Sequence, residues 1–201
     1  MNGTIVSELN ILTISRREYA AAYSLMSEER RQRCDSYRSD DDKKRCIAAD
    51  LLLRRQLGMF LGLPPESFCF EVSEKGKPYL RDHSCFFNVS HAGDFVAVAL
   101  NPACEVGIDI ERIRPVRSAV ARHIFSDKDN LFVFGTSEIP DGIIEDTDML
   151  ERFFRVWTYK EAYVKMTGEG IRNDLKYFSY NAGNCTSRLF DGYCLTVIIA
   201  E

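Results

Sequence analysis

Two long stretches of helical periodicity, each stopped by glycine, constrain this chain most. In the first, "DDDKKRCIAADLLLRRQLGMFLG" (40–62), Ile47, Leu51, Leu52 and Leu57 recur at helical spacing. Acids lead it, and Gly62 with Pro64 stops it. The second runs from about 148 to 167 and ends at the glycines of "TGEG". Each needs an apolar surface to cover its buried stripe. Strands are expected near 4–14, 68–72, 85–90, 94–100, 106–111, 175–180 and 193–199, with "HAG" (91–93) as a tight turn. Shorter helices are expected near 16–25, 27–37, 118–124 and 126–134, and a loop over 135–147. Both halves then read strand, short helices, one long helix, strands, which suggests duplication, although no residue-level repeat accompanies it.

Composition excludes several classes. The 201 residues suffice for one large domain or two small ones, and a hydrophobic fraction of 45% is that of an ordinary globular chain. A net charge of −4 argues against a dedicated nucleic-acid binder. No apolar run is long enough for a membrane span, and "MNGTIVSELN" lacks the layout of a signal peptide, so a cytoplasmic location is expected. The seven cysteines are odd in number, widely spaced and without CxxC, so reduced, partly buried thiols are expected rather than a zinc site or a disulfide framework. Local charge is uneven. Arg112, Arg114, Arg117 and Arg122 share a stretch without acids, whereas 138–151 carries only acids among its charges.

Within "VGIDIE", Asp109 and Glu111 alternate with Ile108 and Ile110, so on a strand both carboxylates share a face while the isoleucines point into a core. Carboxylates about 7 Å apart on a strand could converge on a hard cation such as Mg2+, or could simply line a solvated face. In "FFRVWTYKEAYVKMTGEGI" (153–171), Trp157, Glu161 and Lys165 form one helical stripe with Lys160 beside it. That is either a surface ion pair with an aromatic anchor or an acid and two lysines suited to a phosphoryl site. His91 ends a strand in "FNVSHAGDF", with Ser90 before it, and Gly76 and Pro78 shape a turn that displays Lys77. Each of these also has an ordinary reading as an exposed or turn residue.

Taken together and in order, "GIDIE" (107–111) and "WTYKEAYVK" (157–165) resemble the paired signature of the 4′-phosphopantetheinyl transferase superfamily, Sfp-type. Upstream, "SEERRQR" (27–33), Arg45, "GKP" (76–78) and "NVSHAG" (88–93) follow the family order, with Ala92 where the family has a serine. The resemblance covers about 26 to 171. It implies an α+β fold, a pseudo-dimer of two similar α/β subdomains (1–102 and 103–201) with the site in the cleft between them. It also implies transfer of the 4′-phosphopantetheine arm of coenzyme A to a serine of an apo acyl- or peptidyl-carrier protein, with release of adenosine 3′,5′-bisphosphate.

By motif, Asp109, Glu111 and Glu161 would hold Mg2+ and Glu161 would take the serine proton. Lys165, helped by Lys160, would stabilise the pyrophosphate. Ser90 and His91 would contact coenzyme A phosphates, Arg45 and Lys77 its nucleotide end, and Arg30 and Arg33 would stand where the family has lysines. The arginines of 112–122 would offer a dock for an acidic carrier helix, and the chain is expected to act as a monomer without nucleic-acid or membrane partners. The alternatives are a module that binds coenzyme A or a carrier without transferring anything, and a Mg2+-dependent hydrolase of the pyrophosphate.

Overall fold

The computed structural model describes residues 3–168 and 175–200. The chain divides into two compact units, Met1–Cys104 and Glu105–Glu201.

In the first unit, strand β1 (Ile5–Asn10) leads to helices α1 (Arg16–Leu25), α2 (Glu28–Asp35) and α3 (Asp40–Leu61), then to strands β2 (Phe70–Val72), β3 (Pro78–Leu80), β4 (Phe86–Ala92) and β5 (Phe95–Asn101). Helix starts follow their caps. Ser15 accepts from the Glu18 amide while the Glu18 carboxylate accepts from Ser15, and Ser27 accepts from the Arg30 amide. Three aspartates occupy the first turn of α3, where the helix dipole favours negative charge, and Gly62 closes it at φ 69°.

The main sheet is antiparallel in the order β1-β5-β4. Val96, Val98 and Leu100 of β5 and Phe87 of β4 pack with Ala48, Ala49, Leu52, Leu53 and Leu57 of α3. The buried stripe of α3 thus runs through Leu52, Leu53 and Leu57, while Ile47 and Leu51 are only half-buried. Arg54, itself buried, pairs with Asp50 at 2.7 Å, donates to the Pro65 and Phe68 carbonyls, and covers the Phe70 ring. It thereby ties α3 to the chain entering β2.

The second unit contains β6 (Val106–Arg112), β7 (Val116–Arg117), helix α4 (Asp127–Phe134), β8 (Ile143–Ile144), helix α5 (Thr147–Thr167), β9 (Thr186–Phe190) and β10 (Tyr193–Ile199). Its sheet is antiparallel in the order β6-β10-β9, and Asp191-Gly192, both at positive φ, make the tight β9–β10 turn. Asp146 caps the start of α5 and Gly168 its end.

Each unit therefore has its first strand at one sheet edge, its last strand in the centre, its penultimate strand at the other edge, and one long helix between first and last. The shared topology is the α+β tandem of similar subdomains expected above.

Several element expectations differ from the structure. Strand β4 continues through His91 and Ala92, which pair with Val96 and Phe95, so the turn is Gly93-Asp94 and not "HAG". Residues 118–123 and 175–177 form 3-10 turns, and the strand beside β10 is 186–190. The first strand ends at Asn10, whose side chain accepts from the Leu12 amide and starts another 3-10 turn. All seven cysteines are free thiols. Among the described residues no helix is long and apolar enough to cross a membrane.

Candidate active site

Gly107, Asp109 and Glu111 alternate onto one face of β6, and Ile108 and Ile110 onto the other, where both are buried. The glycine shows what lies over the acidic face. A Cβ there would sit 1.9 Å from the Ala162 carbonyl oxygen and 2.8 Å from Met166 N and Cβ. Backbone of α5 thus crosses β6 at a distance only glycine permits. The acids consequently face a helix, and Asp109 is 4% exposed, so it does not belong to a solvated strand face.

Across the sheet on the same face, Glu111 stands opposite Cys194 and Asp109 opposite Thr196. Thr158 of α5 reaches both, 2.7 Å from the Thr196 hydroxyl and 3.4 Å from Cys194 Sγ. Two turns further along α5, Lys165 Nζ donates to Asp109 Oδ1 at 2.6 Å.

Glu161, between Thr158 and Lys165 on α5, is half-buried, as is Glu111. Burial holds the Glu161 carboxyl above the usual carboxylate range, with the Asp109 charge adding to it and Lys165 opposing. Glu111 is raised for the same first two reasons and is opposed by Arg114, 3.5 Å away. Asp109 thus acts on both glutamates. Among the described residues no three His, Cys, Asp or Glu side chains already stand together as a metal site. In chemistry the donor set nevertheless fits a hard divalent ion: three mutually repelling carboxylates, two of them reluctant to ionise, gain most from one.

The remaining residues singled out in the sequence fall into three groups. Lys160 requires a correction. It is fully buried, pairs with Asp129 at 2.8 Å, donates to the Leu175 and Phe178 carbonyls at 2.6 Å each, and lies over the Phe178 ring. An ammonium so enclosed has no access to a pyrophosphate. Its partner Asp129 also accepts from Ser126 and from the Tyr180 amide, so the pair joins α4, α5 and the segment preceding β9.

In the first unit Arg45 donates to the Gly93 carbonyl at 2.8 Å and pairs with Asp42 at 2.5 Å, which ties α3 to the turn beside His91. His91 is exposed, whereas Ser90, on the other face of β4, is buried. Lys77 is half-buried, with its amide donating to Ser73 Oγ; Arg30 is half-buried and Arg33 exposed.

The arginine stretch is partly neutralised. Arg122 pairs with Asp141 of the acidic stretch, and β7 pairs with β8, so the two oppositely charged segments meet. Trp157 stacks on Phe153 and packs at the edge of this unit's core. Sequence reasoning missed Gly107 as a contact point and Asp129 as the partner of Lys160. Only the Ser126/Asp129 capping box was there to be read for the latter.

Comparison with known proteins bears directly on these motifs. Residues 13–103 match the model described as 4′-phosphopantetheinyl transferase, N-terminal, and residues 105–192 that of the 4′-phosphopantetheinyl transferase superfamily. The chain is 34% identical over 182 residues to the 4′-phosphopantetheinyl transferase psf-1 of Bacillus pumilus, covering 88% of this chain and 74% of that protein. It is 29% identical over 168 residues to the 4′-phosphopantetheinyl transferase Sfp of Bacillus subtilis (strain 168), covering 83% and 70% respectively. To the L-aminoadipate-semialdehyde dehydrogenase-phosphopantetheinyl transferase of Xenopus laevis it is 27% identical over 181 residues, 87% of this chain and 60% of that protein. With both of its halves matched and the "GIDIE" and "WTYKEAYVK" elements packed face to face, this chain belongs to the 4′-phosphopantetheinyl transferase superfamily of enzymes, among its Sfp-type members.

Proposed function

We propose that the chain transfers the 4′-phosphopantetheine arm of coenzyme A to a serine hydroxyl of an apo acyl- or peptidyl-carrier protein. The observation that carries this reading is the meeting of β6 and α5, where Asp109 and Lys165 are in contact and Asp109 raises both Glu111 and Glu161. In the transfer, serine Oγ forms a bond to the β-phosphorus of coenzyme A. The bond from that phosphorus to the bridging oxygen breaks, and adenosine 3′,5′-bisphosphate leaves with the bridging electron pair.

Glu161 takes the serine proton in this scheme. A half-buried carboxyl held above the ordinary range keeps a proton more readily than an exposed glutamate, as a general base requires. Asp109, Glu111 and Glu161 would hold Mg2+, which when bound supplies charge neutralisation at the pyrophosphate. Lys165 gives a second positive charge there, at the end of a flexible stem. Arg45, Lys77, Arg30 and Arg33 supply cations for the nucleotide phosphates, and exposed His91, beside the turn that Arg45 holds, supplies an imidazole for hydrogen bonding to them. This divides the labour between nucleotide binding by 1–102 and chemistry by 103–201. Ser90 enters only if its buried hydroxyl is uncovered.

The test is to incubate the protein with coenzyme A, Mg2+ and each of several apo carrier proteins, and to weigh the carriers intact. A carrier that gains one phosphopantetheine mass supports the reading. Failure of every carrier to gain it refutes the reading.

A further inference from the structure

Lys165 is engaged with a carboxylate that the proposed reaction also needs for something else. Its ammonium lies 2.6 Å from Asp109 Oδ1, and the aspartate side chain is 5% exposed against 31% for the lysine. The aspartate is fixed in the middle of a paired strand. The lysine is the only basic residue in the last turn of α5 and carries its charge on four methylenes. Glu111 has its own cation in Arg114, at 3.5 Å.

Lys165 and Arg114 are thus the cations that the structure sets against Asp109 and Glu111. A divalent ion that takes Asp109 Oδ1 must displace Lys165 from that oxygen, whereas Arg114 stands on Glu111. Of the two groups in contact, Asp109 is held in the paired strand and 5% exposed, whereas the Lys165 stem is 31% exposed and is the one that can swing away.

We propose that Lys165 is a placeholder cation, which holds Asp109 until a divalent ion takes over that carboxylate and is then released to the pyrophosphate of coenzyme A. The proposal rests on the reading given under Proposed function and adds an order to it. Capture of the divalent ion arms the lysine, so ion and coenzyme A bind with positive coupling carried by this side chain. A lysine permanently available to phosphate would strengthen coenzyme A binding whether or not the ion is present.

Calorimetric titration of coenzyme A into wild type, Lys165→Met, Asp109→Asn and the double variant, in EDTA and in saturating Mn2+, separates these cases. In EDTA, wild type and Lys165→Met are expected to bind coenzyme A within about twofold of each other, because the wild-type lysine is occupied. In Mn2+, wild type is expected to bind about tenfold or more tightly than Lys165→Met, the scale of one charge-assisted contact. Asp109→Asn frees the lysine without any ion, so in EDTA it is expected to bind coenzyme A more tightly than wild type, and the double variant is expected to lose that gain.

Equal weakening by Lys165→Met in EDTA and in Mn2+ overturns the proposal. So does a gain that persists in the double variant, since simple removal of negative charge would then explain it. If wild type binds no coenzyme A under either condition, the functional reading itself fails. If it binds coenzyme A without the predicted pattern, only the placeholder role fails. Circular dichroism of each variant verifies folding, and Lys165→Arg, which keeps the charge, is expected to retain the Mn2+-dependent gain in part.

Discussion

Gly107→Ala tests the geometry on which the site depends. The new Cβ would lie 1.9 Å from the Ala162 carbonyl oxygen and 2.8 Å from Met166 N and Cβ, against 3.4 Å for ordinary contact. Both Ala162 O and Met166 N are backbone, so no rotamer change relieves the clash. Strand and helix must separate by about 1.5 Å, the shortfall at the closest contact. Overpacking of this kind costs about 1–3 kcal/mol, and two backbone elements in collision belong at the upper end. For a chain of this size about 3 kcal/mol lowers Tm by about 6–12 °C. The same separation pulls Lys165 from Asp109, now 2.6 Å apart, and shifts Glu161 against both acids. Displacements near 1 Å at a catalytic centre cost about a hundredfold in rate. Thermal unfolding by circular dichroism together with initial rates of carrier loading provides the assay. A Gly107→Ala protein with the Tm and the rate of wild type would show that α5 does not cross β6 at this glycine.

Other perturbations separate the roles of neighbouring residues. Lys160→Met strands the buried Asp129 carboxylate and is expected to cost about 3–5 kcal/mol, whereas Lys160→Met with Asp129→Leu should recover most of it. Urea unfolding decides, and a single variant as stable as wild type contradicts the enclosure of Lys160.

Because burial and Asp109 raise the Glu161 carboxyl, its ionised form is disfavoured in the folded protein, and stability falls as pH rises through its folded titration. In EDTA, Glu161→Gln is therefore expected to be more stable than wild type at pH 7.5, with the advantage fading toward pH 5; thermal melts whose difference does not change with pH oppose this. In thiol labelling of the native protein, exposed Cys69 should react first. Cys34 and Cys185, pushed up by burial to about 11, should wait for denaturant. Early labelling of Cys34 would place α2 wrongly.

The long helices and most strands were legible because their patterns are strong and locally capped. The Asp40–Asp42 start of α3 and the glycine stops of both long helices are in the sequence itself. Less legible was anything set by pairing across the chain. His91 and Ala92 read as a turn because their strand character comes from Val96 and Phe95 opposite them. The 175–180 stretch reads as a strand by composition, yet its backbone is engaged by Lys160 and Asp129, and the β10 edge is filled by 186–190.

At the site, period-2 alternation put Asp109 and Glu111 on one face, but it could not tell whether water or a helix covered that face. Helical spacing grouped Lys160 with Glu161 by adjacency alone. Adjacent residues on a helix point about 100° apart, so one turned inward to Asp129 and the other toward the β6 acids. The acidic 138–151 stretch had no visible purpose until Asp141 was found on Arg122.

The most direct measurement is single-turnover loading of an apo carrier by wild type and by Glu161→Gln, with Tm recorded for both. A rate lower by about 10²–10⁴ in a variant that melts no lower than wild type is the predicted result, the scale of a lost general base. Loading by Glu161→Gln at the wild-type rate would contradict the assignment of the β6–α5 face as the catalytic centre.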